Sequence, residues 1–79
     1  PVYFTLELDV LDPSVFPGTG TPEPGGVSFE ELRKAVTFVC QKANVVACDV
    51  NELSPPYDQS GVSTMVACKV VREMLLALN

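Results

Sequence analysis

The chain has 79 residues, 47% of them hydrophobic, and its five Lys and Arg against ten Asp and Glu give a net charge of −5 at pH 7. This negative charge argues against a nucleic-acid partner, because proteins hold phosphate backbones mainly with positive side chains. The longest apolar stretch near the end, residues 74–78, is far shorter than the roughly 20 residues of a membrane span, so we expect a soluble chain without a membrane partner.

The size and the cysteines of the chain favour a segment of a longer cytoplasmic protein. A chain of this length buries only about 60% of its unfolded surface, so we expect other parts of the protein to cover its apolar residues. The three cysteines are widely spaced without a Cys-x-x-Cys motif, which predicts reduced cysteines in the core. The sequence also enters a strand at once, without an initiator Met or a signal segment.

Residues 2–10 predict a first strand. They are rich in β-branched and aromatic residues, and the polar residues Thr5, Glu7 and Asp9 occupy alternate positions. One face of the strand should therefore be apolar and the other should carry two carboxylates. Residues 12–26 contain four of the seven prolines and four of the five glycines, which predicts a long loop.

A helix is predicted to follow from Ser28 to Ala43. Ser28 and Glu31 have the spacing of a capping box, in which each side chain satisfies a free backbone N–H of the first turn. The apolar residues then recur at steps of three and four, as on a helix that lies on a core. They are Phe29, Leu32, Val36, Val39 and Ala43.

Residues 45–53 predict a second strand, and their nearly continuous apolar start is typical of a strand buried on both faces. The proline-rich residues 54–58 end this strand. The last segment again has helical apolar spacing. Its apolar residues are Ala67, Val70, Val71, Met74, Leu75 and Leu78.

The predicted order is β-α-β-α, which places the chain in the α/β class. A helix that joins two strands of one sheet almost always makes a right-handed crossover between parallel strands. Two strands do not form a stable sheet alone, so more strands are expected from the rest of the domain. Ligands of such sheets bind beyond the carboxyl ends of the strands, where Glu7, Asp9 and Glu52 are predicted to lie.

Glu7 and Asp9 are the first candidates for chemistry. Two carboxylates on one face of a strand repel each other unless a basic side chain or a divalent cation lies between them, and oxygen ligands suit Mg²⁺ or Mn²⁺. Taken alone, this pair is more typical of solvated charges at a strand end. The residues that follow the pair change this interpretation.

The segment Thr5-Leu6-Glu7-Leu8-Asp9, followed by Pro13, Pro17-Gly18 and Gly26, resembles the signature of the ureohydrolases, the arginase, agmatinase and formiminoglutamase family. Residues 49–52 (Asp-Val-Asn-Glu) resemble a second block of that family. Residues 54–58 (Ser-Pro-Pro-Tyr-Asp) are more similar to agmatinases than to arginases. The two blocks and their helices cover essentially the whole chain.

The resemblance implies a fold and an activity. The chain would be the C-terminal part of a single three-layer, arginase-like α/β domain. The full-length protein would be a cytoplasmic hydrolase of polyamine metabolism that uses two Mn²⁺ ions to release urea from agmatine or a similar guanidino substrate. Members of the family tend to form trimers or hexamers, which implies a homo-oligomer.

The resemblance also implies roles for individual residues. Glu7 would take the position of the carboxylate that bridges the two metal ions, and Asp9 that of a ligand of the second ion. Glu52 would bind the guanidinium group of the substrate, for which the two oxygens of a carboxylate are well matched. Thr21 would border the substrate pocket.

Two departures from the family keep an alternative open. The chain has no histidine, and it lacks the family's Asp-Ala-His-x-Asp motif, so we expect these residues alone to be inactive. The family has Asp where this chain has Glu7, which is longer by one methylene. The alternative is therefore a non-catalytic member or a structural, assembly-related segment. Of the remaining acids, Asp12 is expected to cap a turn and Asp49 to bond within the sheet end.

Overall fold

The computed structural model describes residues 1–78 and has the predicted β-α-β-α order. The strands are β1 (Val2–Glu7) and β2 (Val45–Asn51), and the helices are α1 (Phe29–Lys42) and α2 (Val62–Ala77). Short 3₁₀ turns follow each strand at Leu8–Val10 and Pro55–Tyr57. No helix in this part of the chain is both long and apolar enough to cross a membrane.

The two strands pair in parallel, as predicted, with Glu7 opposite Asn51 at their carboxyl ends. Their helix-facing sides carry Phe4, Leu6, Cys48 and Val50, all of which belong to or pack against the hydrophobic core. The expectation that β2 is buried on both faces is wrong for this structure. Polar side chains such as Asp49 and Asn51 occupy the opposite face of the sheet. Val46, which is skipped at the register shift between the strands, is 66% exposed.

The first strand is shorter than predicted, because the chain turns after Glu7. In the 3₁₀ turn the N–H of Leu11 donates to the carbonyl of Leu8 at 3.0 Å. Residues three apart lie on the same side of such a turn, so Leu8 and Leu11 are both buried. In a continued strand the side chains of Leu8 and Leu11 would point to opposite faces of the sheet, so the burial of both leucines favours the turn.

Helix α1 begins as predicted. The Ser28 hydroxyl accepts from the Glu31 N–H at 3.1 Å, and the Glu31 carboxylate accepts from the Ser28 N–H at 2.9 Å. These contacts satisfy donors that a helix start leaves free. The buried face of α1 consists of Leu32, Val36 and Cys40.

Helix α2 buries a narrower face than its apolar pattern predicted. Its buried residues are Ser63, Ala67, Val70, Met74 and Ala77. Val71 and Leu75 are 39% and 63% exposed, because neighbouring apolar positions on a broad stripe cannot all face one partner helix. The cysteines are free, and Cys40 is buried as expected, but the core prediction is wrong for Cys68, which lies on the exposed side of α2.

Asp12 closes the long loop at its base, which confirms the predicted turn role. One carboxylate oxygen accepts from the N–H groups of Gly25 and Gly26, and the other accepts from Ser14. These bonds lower the pKa of Asp12 to about 2. A side chain at Gly26 would place its Cβ 2.5 Å from the backbone N of Asp12, so the close approach of the two loop ends requires glycine there.

Candidate metal and substrate site

The carboxyl ends of β1 and β2 bring the predicted acidic residues to one edge of the sheet. Glu7 is the last residue of β1, and Glu52 is the first residue after β2. Asp9 lies in the 3₁₀ turn, so it does not reach this edge as part of an extended strand, as the sequence had suggested. The turn nevertheless leaves Asp9 near enough to Glu7 for their charges to interact.

Carboxyl groups crowd around Glu7. Partial desolvation raises the pKa of Glu7 above its ordinary value, and neighbouring acids raise it further. These acids are Glu52, Asp9 and Asp49. Glu52 has the largest effect of the three on the pKa of Glu7, because a second carboxylate close by disfavours the ionised form.

No basic side chain offsets this charge within residues 1–78. The ion pair found there joins Arg33 and Glu30 on the outside of α1, at 2.9 Å. The carboxylates at the acidic edge therefore repel one another, and no ion pair among the described residues neutralises them.

Thr21 reaches this edge from the long loop. Its hydroxyl donates to Oδ2 of Asp9 at 2.7 Å. The bond holds the Asp9 carboxylate in one orientation and leaves its other oxygen available to a ligand. The structure thus joins a predicted substrate-pocket residue to a predicted metal ligand, although they are 12 positions apart.

Glu52 has an unusual backbone. Its φ is +83°, the one positive value among the non-glycine residues described. A residue with a Cβ adopts this left-handed conformation at a cost of about 1–2 kcal/mol, and such strain is concentrated at functional sites. The conformation ends β2 two residues before the predicted boundary and turns the chain at the acidic edge.

The polar face of the sheet leads up to Glu7 through hydrogen bonds to Asp49. The Asp49 carboxylate accepts from Tyr3 and Thr5, each at 2.6 Å, and from the Asn51 side chain at 2.6 Å. These bonds lower the pKa of Asp49 and raise that of Tyr3. The expectation that Asp49 bonds within the sheet end is confirmed, and the network fixes the strands on either side of the acidic edge.

A second contact region, which the sequence did not indicate, joins the long loop to α2. Ser63 is 1% exposed, and its hydroxyl lies between the Gly18 N–H and the Asp58 carboxylate. The only sequence signal was the series Asp58, Ser60 and Ser63 around the start of an apolar helix, a pattern typical of side chains that bond to backbone groups of a first helical turn. That pattern does not reveal the contact with Gly18.

The acidic edge fits part of a site for a hard divalent cation. Glu7 and Asp9 offer carboxylate oxygens, which suit Mg²⁺ or Mn²⁺. The pKa of Glu7 is raised by desolvation first and by neighbouring carboxylates second, and a cation would offset both effects. Within residues 1–78, however, no group of three or more histidine, cysteine, aspartate or glutamate side chains has the arrangement to hold a metal ion. Glu7 and Asp9 thus fit as contributors to a larger ligand set.

Nearly the whole chain matches a known family profile. Residues 1–77 match the sequence profile of the Arginase family. The chain belongs to the arginase family. This match confirms the resemblance seen in the two sequence blocks.

Known members of the arginase family are similar over nearly the whole chain. The agmatinase of Halalkalibacterium halodurans is 47% identical over 76 residues, which are 95% of this chain and 26% of that protein. The mitochondrial guanidino acid hydrolase of Homo sapiens is 44% identical over 78 residues, or 99% of this chain and 22% of that protein. The chain therefore spans about a quarter of the length of these relatives.

A solved structure supports the fold assignment. The proclavaminate amidino hydrolase of Streptomyces clavuligerus superposes with a TM-score of 0.90 at 39% identity, over 98% of this chain and 25% of that one. The predicted α/β, arginase-like fold is confirmed by this agreement.

Proposed function

We propose that this chain is the C-terminal segment of a single ureohydrolase domain whose full-length protein uses Mn²⁺ to hydrolyse a guanidino substrate and release urea. The observation that carries the proposal is the convergence of Glu7, Asp9 and Glu52 at the carboxyl ends of two parallel strands. That edge is where ligands of such sheets bind. The family assignment supports the reaction class.

The proposal gives separate roles to the metal-binding and the substrate-binding residues of the chain. Glu7 and Asp9 hold the divalent cations together with ligands from the rest of the domain. The bound cations supply Lewis-acid chemistry and lower the pKa of water. Glu52 binds the guanidinium through its two oxygens, and Thr21 orients Asp9 beside the substrate pocket.

Agmatine is the substrate that we propose, with similar guanidino compounds in the same class. This choice is supported by the 47% identity to the agmatinase of Halalkalibacterium halodurans. The Ser-Pro-Pro-Tyr-Asp sequence of residues 54–58 supports the same choice. Hydrolysis of agmatine leaves a diamine, so the proposal includes a role in polyamine metabolism. It also includes a cytoplasmic location and a homo-oligomer of three or six chains.

A second candidate is a family member without catalytic activity, which keeps this segment for structure or assembly. The observation that favours it is Glu7, which stands where the family signature has Asp. The intact Asp9 and Glu52 favour the enzyme.

Urea release by the full-length protein tests the proposal. The protein, supplied with Mn²⁺, is assayed with agmatine, arginine and 4-guanidinobutyrate, and we expect turnover with agmatine to be fastest. Glu52→Gln should lower kcat/KM by about a hundredfold, because the guanidinium loses its charged partner. Glu73→Gln removes the same charge on α2 and should leave kcat/KM within about twofold. Wild-type protein that releases urea from none of the three substrates would contradict the proposal.

A further inference from the structure

Gly18 is the point at which the long loop contacts both the start of α2 and the segment after β2. Its N–H donates to the Ser63 hydroxyl at 2.8 Å, and its carbonyl accepts from the Ser54 N–H at 2.7 Å. A Cβ at Gly18 would lie 2.7 Å from the Cβ of Ser63. The loop backbone is therefore in close contact with the start of α2 on one side and with the segment after β2 on the other.

Ser63 is itself held by Asp58. The Ser63 hydroxyl donates to Oδ2 of Asp58 at 2.6 Å, and the Ser63 N–H donates to the same oxygen at 2.9 Å. Because the Ser63 hydroxyl donates its hydrogen bond to Asp58, its oxygen acts as the acceptor for the Gly18 N–H. The hydrogen bonds from Ser60 and Ser63 also lower the pKa of Asp58 to about 2, so this carboxylate is ionised at neutral pH and its acceptor role does not change.

The position of this contact along the chain links it to the substrate site. Gly18 precedes Thr21 by three residues, and Ser54 follows Glu52 by two. The hydrogen bond between Gly18 and Ser54 thus connects the loop segment that carries Thr21 to the segment that carries Glu52. A shift of the loop at Gly18 would change the separation of the two side chains.

We propose that Ser63 is a positioning residue for guanidino recognition, and that the Asp58–Ser63–Gly18 chain of hydrogen bonds sets the separation of Thr21 and Glu52. This inference rests on the proposed function. Ser63 does not touch the substrate. It acts through the loop backbone, so its loss should weaken substrate binding more than it affects the fold.

The chain offers a matched control in Ser60. The Ser60 hydroxyl also donates to Asp58, at 2.6 Å, but to the other carboxylate oxygen, and it accepts from the Val62 N–H at 3.2 Å, whereas the Gly18 N–H donates to Ser63. Ser60→Ala and Ser63→Ala therefore each remove one hydroxyl bond to Asp58 at the start of α2. Only Ser63→Ala also removes the bond to the loop.

The experiment compares these variants in the full-length protein with Mn²⁺. We expect Ser63→Ala to raise KM for agmatine about tenfold, the effect of losing one buried hydrogen bond, with a smaller change in kcat and unchanged manganese content. Ser60→Ala should keep KM within about twofold of wild type. Ser63→Cys retains a weaker donor and acceptor, so its KM should be intermediate, and it carries the test if Ser63→Ala is not recovered folded.

The outcomes separate this inference from the proposed function. An active wild type in which Ser63→Ala and Ser60→Ala have the same KM overturns the positioning role and leaves the ureohydrolase proposal standing. A fall in melting temperature for Ser63→Ala without a rise in KM overturns it as well, because that is the result of a purely structural role. A wild type that releases no urea from any guanidino substrate overturns both.

Discussion

The Thr21 hydroxyl donates a 2.7 Å hydrogen bond to Oδ2 of Asp9 and so links the long loop to the 3₁₀ turn after β1. Partners of this kind orient metal-binding side chains, and their loss typically costs metal affinity or activity. The bond also means that a ligand at Asp9 and a substrate beside Thr21 would be sensitive to each other's presence. Changing Thr21 should therefore affect metal binding as well as substrate binding.

Thr21→Val tests this link in the full-length protein. The substitution keeps the shape of the side chain but removes the donor, so we expect the affinity for Mn²⁺ to fall by about tenfold or more. Thr21→Ser is the matched control, because it keeps the hydroxyl and should retain most of the affinity. A Mn²⁺ titration of urea release measures both, and equal affinities for the Val and Ser variants would show that the hydrogen bond has no part in metal binding.

Glu7→Asp tests whether the longer side chain misplaces the carboxylate. The extra methylene extends the side chain by about 1.5 Å, and an error of about 1 Å in an active site can lower a rate a hundredfold. We expect Glu7→Asp to raise kcat of the full-length protein at saturating Mn²⁺ and to leave the fold unchanged. An equal or lower rate would show that the surrounding backbone has already adapted to Glu7.

Glu7→Gln tests the crowding of acids by its dependence on pH. The pKa of Glu7 is raised in the folded protein, so the folded state binds a proton more tightly than the unfolded state does. Stability should therefore fall as the pH rises from the ordinary glutamate value of about 4.3 through the raised value. In the metal-free protein, Glu7→Gln should melt at a higher temperature than wild type at pH 7, and the difference should shrink at pH 4. A difference that is the same at both pH values would contradict the electrostatic explanation.

Glu52 offers a test of backbone strain. Glycine adopts a positive φ without steric cost, whereas alanine shares the penalty of glutamate. The free energy of unfolding of Glu52→Gly should therefore exceed that of Glu52→Ala by about 1 kcal/mol, although both variants lose the carboxylate and should lose urea release. Denaturant unfolding of the two variants measures the difference. Equal stabilities would mean that the left-handed conformation at Glu52 costs little.

The sequence predicted the elements well because local signals define them. Ser28 and Glu31 mark the start of α1, and the β-α-β order left a parallel pair as the natural arrangement. The sequence could not predict that β1 stops at Glu7, because β-branched and apolar residues continue to Leu11. The turn depends on burial of Leu8 and Leu11 together, which is a property of the core.

The contacts of the site were less predictable than its residues. Glu7, Asp9, Glu52 and Thr21 were found through their resemblance to family motifs, and the strand order placed three of them at one edge. The hydrogen bond between Thr21 and Asp9, however, depends on the path of a loop with no periodicity. The burial of Ser63 against Gly18 depends on packing between segments 45 residues apart, and no local pattern reports such a contact.

The proposed division of ligands also makes a prediction about residues 1–79 alone. They supply at most Glu7 and Asp9 to the metal site, so this segment should release no urea from agmatine above the buffer blank, even with Mn²⁺. A colorimetric urea assay decides the matter. Measurable turnover would mean that the ligand set proposed for the site is wrong.

The central claim, that the acidic edge forms part of a metal centre, is tested most directly by measuring bound manganese in the full-length protein and in Asp9→Asn. After dialysis against Mn²⁺-free buffer, wild type should retain about two ions per chain, as in two-metal hydrolytic sites. Asp9→Asn should retain fewer and lose urea release in proportion, whereas Glu73→Gln should match wild type in both. Equal manganese content in wild type and Asp9→Asn, with equal urea release, would contradict the claim.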